Sequence, residues 1–316
     1  MAELLTSAAN PKLKRLVALR EKSRLRREEG VFVVEGRREI ERCVAAGFEL
    51  ESVFVCPEIC GEPVPDGRRG TPPEGRATRE FTPENSRFPR TPIEAGGPSD
   101  GGGVSPKGEL PKGEMPRDRI ATPKVFELTK ELYAKAACRE GTEGVVAIVK
   151  SRELKLADLK FGEAPLIMVL EAVEKPGNLG AVLRSADAAG ADAVIVCDPL
   201  TDLWNPNLIR ASVGAVFTVP VVCCSSDEAI KWLKTNGIQI LTAQLQDSSL
   251  YYDSPMTGPT AIVMGTEATG LTDIWRQAAD AHIRIPMLGV EDSLNVSVSA
   301  AILLYEAVRQ RRGGKS

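Results

Sequence analysis

Residues 293–299 read SLNVSVS, and Ser293, Asn295, Ser297 and Ser299 set four small hydrogen-bonding side chains in seven positions, directly before the apolar run 300–304. Polar groups packed that tightly among apolar neighbours cost free energy unless each finds a partner. Two other stretches combine glycines with polar side chains. Residues 174–180 read EKPGNLG and lead into AVLRSA, which carries Arg184; residues 264–271 read MGTEATGL, with Glu267 inside. Glycine lets backbone approach a neighbour closely, and asparagine tolerates tight turn geometry. Each stretch follows an apolar run, so each reads as a turn at a strand exit, able to hold a ligand through backbone groups and a few side chains. One such turn would be ordinary, whereas three point to a common site. No G-x-G-x-x-G follows a first strand and no P-loop occurs, so the phosphate-binding fingerprints of dinucleotide and nucleoside triphosphate sites are missing.

Strands and helices alternate around these turns. Strands are expected over 166–172, 193–197, 217–223, 238–243, 261–264 and 282–285. Helices are expected over 180–189, 207–213, 226–235 and 273–279, with a last one reaching about 312. Arg184 would then lie in about the first turn of its helix. Alternation of this kind predicts a parallel sheet covered by helices, with the ligand at the carboxyl ends of the strands. The period-two run 293–299 would also fit a strand. Helix formers in 300–306 favour the start of the final helix instead, with Asp292 or Ser293 as its N-cap.

The N-terminal part is a smaller α/β unit. Expected are a basic helix over 12–29 stopped by Gly30, a strand at 31–34, a helix at 37–46, a strand at 52–56, a helix at 124–137 and a strand at 144–150. Between residues 57 and 123, 13 of 67 residues are proline and 11 are glycine. That proportion lies above the roughly 25–30% that marks low-complexity chain, so this insert is expected to be a disordered loop. The domains implied are 1–150, a linker at 151–163, and 164–316.

The chain of 316 residues carries a net charge of −3, yet eleven lysines and arginines against six glutamates fall between Lys12 and Arg42. A local basic face can engage phosphates on an acidic protein, because screening makes the electrostatic footprint local. A solvated helix face is the plainer alternative. Lys12, Lys14, Arg15, Arg24, Arg37 and Arg38 are the candidate nucleic-acid contacts. Seven cysteines without regular spacing and a single histidine fit reduced thiols and no metal site. No membrane span and no secretory signal are expected, which implies a cytoplasmic protein, or an organellar one were the source eukaryotic.

At the three turns the chain resembles the SpoU/TrmH family of SPOUT RNA methyltransferases. Asn178, Gly180, Arg184, Ser185 and Ala186 look like its first motif. Gly265, Glu267, Gly270 and Leu271 look like the second; Ile285, Pro286 and Met287, followed by residues 293–297, look like the third. The N-terminal part is similar to the family's substrate-binding domain of ribosomal L30e/L7Ae type. The resemblance implies 2′-O-methylation of ribose in ribosomal or transfer RNA with S-adenosylmethionine as donor, a homodimer, and a trefoil knot in the C-terminal segment. Residue by residue, it carries cofactor contacts to Gly265, Ile285 and Leu294, and catalytic-site positions to Asn178, Arg184, Glu267, Ser293 and Asn295.

Methyl transfer to a ribose hydroxyl needs the nucleophile held in line and its developing charge stabilised. A guanidinium stays protonated in proteins, so Arg184 suits charge stabilisation and a grip on phosphate, while Asn295 and Ser293 would orient the hydroxyl. His282 falls on a buried strand and reads as structural. Two other classes remain open from the sequence: a catalytically silent RNA-binding protein of the same fold, and a small-molecule enzyme on a nucleotide-binding sheet.

Overall fold

The computed structural model describes residues 2–61, 122–138, 143–266, 269–290 and 292–313. Most of the 57–123 insert, and Glu267, lie outside the described residues.

In chain order the N-terminal elements are β1 (Glu3–Leu5), α1 (Pro11–Glu21), α2 (Ser23–Glu29), β2 (Val31–Glu35), α3 (Arg37–Ala45), β3 (Leu50–Val55), α4 (Pro57–Cys60), β4 (Lys124–Leu128), α5 (Lys130–Ala136) and β5 (Val145–Lys150). The sheet order is β1-β4-β3-β5-β2. β5 pairs antiparallel with β2 and β3, and the other pairs are parallel. Period two divides β2 between two cores: Val31 and Val33 face α1 and α5, while Phe32 and Val34 join the large core shared with the C-terminal sheet.

Two expectations fail here. The basic helix is broken at Lys22, whose extended backbone ends α1 before α2 begins. Residues 124–137 are not one helix. Lys124–Leu128 is a strand with alternating burial, and Thr129 then caps α5 by accepting from Leu132 N. Helix formers in KELYAKA pull a sequence reading back across that cap.

The C-terminal elements are β6 (Leu166–Glu171), α6 (Pro176–Ala189), β7 (Ala193–Cys197), α7 (Pro206–Ala211), α8 (Ala215–Thr218), β8 (Val221–Cys224), α9 (Ser226–Thr235), β9 (Gln239–Ala243), β10 (Ser249–Leu250), β11 (Thr260–Met264), α10 (Asp273–Ala278), β12 (Ala281–Arg284) and α11 (Val296–Gly313). All seven strands run parallel in the order β10-β12-β9-β11-β6-β7-β8, as the alternation predicts. Leu166, Met168 and Leu170 pack in the core that includes α6 and α11, and Ile167 and Val169 in the core that includes α9 and α10.

Residues 217–223 are not a strand throughout. Gly214, in the left-handed region at φ 81°, starts α8, and Pro220 precedes the short β8. Residues 151–163 run along the sheet edge: Leu154 bridges to Val222, and Phe161 meets Trp232 edge to face.

The two sheets meet through aromatic rings and one buried ion pair. Phe32 stacks on Trp204 at 4.3 Å between centroids, and Phe48 and Phe217 surround them. Arg26, 3% exposed, donates from Nε to Asp202 Oδ2 at 2.7 Å and from Nη1 to Leu19 O and Arg20 O. None of the seven cysteines is in a disulfide. Cys197 donates a hydrogen bond to the facing Cys224, and this bond, followed by burial, pushes the Cys197 thiol up. Among the described residues no helix is long and apolar enough to cross a membrane, and no cluster of His, Cys, Asp and Glu is placed to hold a metal.

Candidate functional site

β6 and β11 are neighbours, and they lie where the connections change direction, since β7 and β8 continue on one side and β9, β12 and β10 on the other. In an open parallel sheet that switch point is where strand exits part and leave room for a ligand. The first two turns follow β6 and β11. The third follows β12, with β9 between β12 and β11.

After β6 the chain turns at Ala172, held at φ 50° with its N–H donated to Cys197 O at 2.9 Å. A side chain at positive φ is strained, and such strain persists where the surroundings impose it. α6 then begins at Pro176, four residues earlier than expected. Asn178 and Gly180 therefore sit in its opening turns, and Arg184 stands in its third turn rather than its first. Proline at the first helical position explains the early start, because its fixed φ suits a helix and its missing N–H is not needed there.

Gly180 is required by the approach of α7. A Cβ there would come within 2.6 Å of Ala211 Cβ and 2.7 Å of Leu208 O. Gly177 meets nothing within 4 Å, so the close approach expected of it is absent. Arg184 is exposed, without an ion-pair partner among the described residues.

After β11, Thr266 and Gly270 exchange backbone hydrogen bonds at 3.2 and 3.1 Å, closing a tight loop. Gly265 lies under that loop. A Cβ on it would fall 2.2 Å from the carbonyl carbon and oxygen of Gly270 and 2.4 Å from Leu271 N. Only glycine fits that passage. The far end of the loop is tied to β6 by a residue the sequence reading missed. Glu171, 3% exposed, accepts from Thr272 N at 2.9 Å and from Thr272 Oγ1 at 2.5 Å. Beside it Trp275 Nε1 donates to Ser226 Oγ at 3.0 Å, and Ser226 Oγ donates to Asp198 Oδ2 at 2.6 Å. The available signal was a single carboxylate closing the apolar strand LIMVLE.

The third turn ends at α11. Asn295 caps it, accepting from Ser297 N at 3.0 Å and Ser297 Oγ at 2.6 Å. The cap is thus neither Asp292 nor Ser293; Ser293 Oγ donates to Asp292 Oδ1 at 3.0 Å. The period-two run is helical from Val296. Asn295 Nδ2 also donates to Asn178 Oδ1 at 3.3 Å, joining the first turn to the third across 117 residues of sequence. Ile285 packs half-buried on the core, and Leu294 keeps 38% of its surface exposed.

Within this group the structure brings Asn178 and Asn295 into direct contact. Gly265, Ile285 and Leu294 follow strands at the same end of the sheet, and Ser293 lies two residues from Asn295. His282 Nδ1 pairs with Thr242 Oγ1 at 2.6 Å inside the sheet, the structural place expected of it. At the exit of β9, Gln244 Oε1 is buried with no hydrogen-bond partner.

The basic candidates are largely engaged elsewhere. Lys12 pairs with Glu3 and covers the Phe126 ring; Arg24 pairs with Glu28. Arg15 bridges Glu29 and Glu51, and its guanidinium holds the Glu51 carboxyl below the usual carboxylate range. Arg37 donates to Cys60 Sγ at 3.4 Å. Lys14 and Arg38 are exposed.

Comparison with known proteins gives matches over both sheets. A model described as the SpoU rRNA Methylase family matches residues 165–305, and one described as an MRM3-like substrate binding domain matches residues 10–74. The chain is 36% identical over 203 residues to the 23S rRNA (guanosine-2′-O-)-methyltransferase RlmB of Vibrio parahaemolyticus, covering 62% of this chain and 82% of that protein. A crystal structure titled as an RNA 2′-O ribose methyltransferase superposes with a TM-score of 0.70 at 34% identity, over 98% of this chain and 99% of that one. The SpoU methyltransferase AviRb of Streptomyces viridochromogenes, in complex with the cofactor AdoMet, superposes with a TM-score of 0.71 at 25% identity, over 96% of this chain and 100% of the other.

Proposed function

The chain belongs to the SpoU rRNA methylase family, and from that premise we propose that it transfers a methyl group from S-adenosylmethionine to a ribose 2′-hydroxyl of ribosomal RNA. The observation that carries this reading is the convergence of the three turns at one end of the sheet, with Asn295 bonded to Asn178. Residues 1–150 are assigned to substrate RNA, 151–163 to a linker, and 164–316 to methyl transfer.

The residues present fit the cofactor. Gly265 leaves the exit of β11 bare of side chain, and Ile285 and Leu294 add partly exposed apolar surface, which suits an adenosyl group bound through backbone and packing. When bound, the sulfonium supplies an electrophilic methyl carbon. Asn295, fixed by Asn178 and by the first turn of α11, orients the ribose hydroxyl, with Ser293 beside it. Arg184 grips the adjoining phosphate and stabilises the charge that develops on the 2′-oxygen; holding such groups in place before reaction is the main source of rate. Glu267 is assigned to the same site by its place in the second motif. The need for a 2′-hydroxyl makes RNA, not DNA, the substrate.

Exposed Lys14 and Arg38 support RNA contact by the N-terminal part. Leu288, Val290, Val298 and Tyr305 are 97%, 103%, 47% and 50% exposed, and this apolar surface around α11 supports a homodimer. A knotted C-terminal segment and a cytoplasmic location complete the reading. The test is transfer of labelled methyl from S-adenosylmethionine to unmodified 23S rRNA, with the label recovered in alkali-resistant dinucleotides. Arg184→Ala should abolish transfer and retain cofactor affinity. Label on a base, or none at all with wild type, would contradict the proposal.

A further inference from the structure

β9 lies between β11 and β12, the two strands whose exits are assigned to the cofactor, and its own exit holds a side chain with an unmet need. Gln244 N donates to Ile283 O at 3.0 Å, which fixes the residue beside the end of β12. Its Nε2 donates to Gln246 O at 2.9 Å. That bond sets the amide orientation, because a backbone carbonyl can pair only with the NH2 end. Oε1 is the atom left over, buried and accepting no hydrogen bond. A buried acceptor without a donor is costly, and in folded proteins such an atom is normally satisfied by a ligand or an ordered water. Two other buried side-chain atoms among the described residues share this state, Glu35 Oε1 and Arg276 Nε. They belong to β2 and α10; Gln244 alone stands at the exit of a strand flanked by both cofactor turns.

We propose that Gln244 Oε1 accepts a hydrogen bond from the exocyclic amino group of the cofactor's adenine, which makes Gln244 a base-recognition residue. This rests on the methyltransferase reading and adds to it a side-chain contact at the base. The amino group is the donor that distinguishes adenine, whose neighbouring ring nitrogens N1 and N7 only accept. Hypoxanthine carries a carbonyl at that position, which would face Oε1 acceptor to acceptor.

The experiment is calorimetric titration of S-adenosylhomocysteine and S-inosylhomocysteine into wild type, Gln244→Met and Gln244→Asn. The last keeps the amide but withdraws it by one methylene, and provides a second variant should the first fail to fold. Wild type should favour the adenosyl ligand by about tenfold or more, the loss expected when a site's hydrogen-bonding group is left unpaired. Each variant should bind S-adenosylhomocysteine about three- to tenfold more weakly, and the preference between the two ligands should shrink by the same factor. Equal wild-type affinities, or a preference unchanged in the variants, would overturn the assignment and leave Oε1 to a trapped water. Failure of wild type to bind either ligand would remove the methyltransferase reading, and this inference with it.

Discussion

Removal of the Asp202 carboxylate should be among the most damaging single changes outside the site. Arg26 is 3% exposed and Asp202 12% by side chain, with Nη2 to Oδ2 at 2.6 Å. Asp202 Oδ1 also accepts from Trp204 N at 3.0 Å, so the same carboxylate holds the turn that brings Trp204 onto Phe32. In Asp202→Ala the guanidinium keeps its two carbonyl partners, Leu19 and Arg20, but remains a buried cation with no counter-charge. Breaking a buried pair from one side costs about 3–5 kcal/mol. At this chain length each kcal/mol corresponds to roughly 1.5 °C, so a fall in Tm of at least about 4 °C is expected. The control is Glu28→Ala, which removes the i,i+4 pair with Arg24, whose side chain is 86% exposed; a pair of that kind is worth about 0.3–0.5 kcal/mol. Thermal unfolding followed by tryptophan fluorescence measures both variants. If Asp202→Ala proved no worse than Glu28→Ala, the interface would not rest on this pair, and the energetic reasoning would be wrong.

Further outcomes follow from the same geometry. Gly265→Ala should destabilise by about 1–3 kcal/mol, the usual cost of overpacking, and abolish S-adenosylhomocysteine binding; Gly177→Ala, with open space at that position, should leave stability unchanged or raise it by up to about 1 kcal/mol. Thermal unfolding with and without ligand distinguishes the two. Because Arg15 lowers the Glu51 pKa, that carboxylate contributes stability above its unfolded value of about 4.3 and loses it as pH falls through the lower folded value. Wild type should therefore exceed Glu51→Gln in stability at neutral pH, and the difference should close in acid; a difference independent of pH would exclude this linkage. Replacing residues 62–121 with about a dozen glycine and serine residues should preserve a folded, soluble protein. Joining Gly61 directly to Thr122 should fail, because β3 and β4 are parallel and the residues 56–61 and 122–123 then left between them fall short of the roughly a dozen a parallel crossover needs.

The glycine turns and the alternation of strands and helices were legible because both are local properties of the chain. So was the helical nature of the last segment, although its cap was assigned two or three residues too early. The strand at Lys124–Leu128 was hidden by the helix formers that follow it, and the start of α6 by glycines that a propensity reading keeps out of helices. What joins the pieces was not legible. Arg26 looked like one member of a basic run, and its partner lies 176 residues away. Asn178 and Asn295 meet only because two distant helices begin at the same end of one sheet. Glu171 and Gln244 owe their roles to the order of strands, which no local pattern specifies.

The central claim is that the exits of β6, β11 and β12 build one cofactor site. A crystal structure of this chain with S-adenosylhomocysteine bound tests it most directly. The account predicts the ligand in contact with Gly265, Ile285 and Leu294, with Asn295 and Arg184 facing the sulfur from the side where RNA would approach. A ligand seated at any other place on the chain would contradict it.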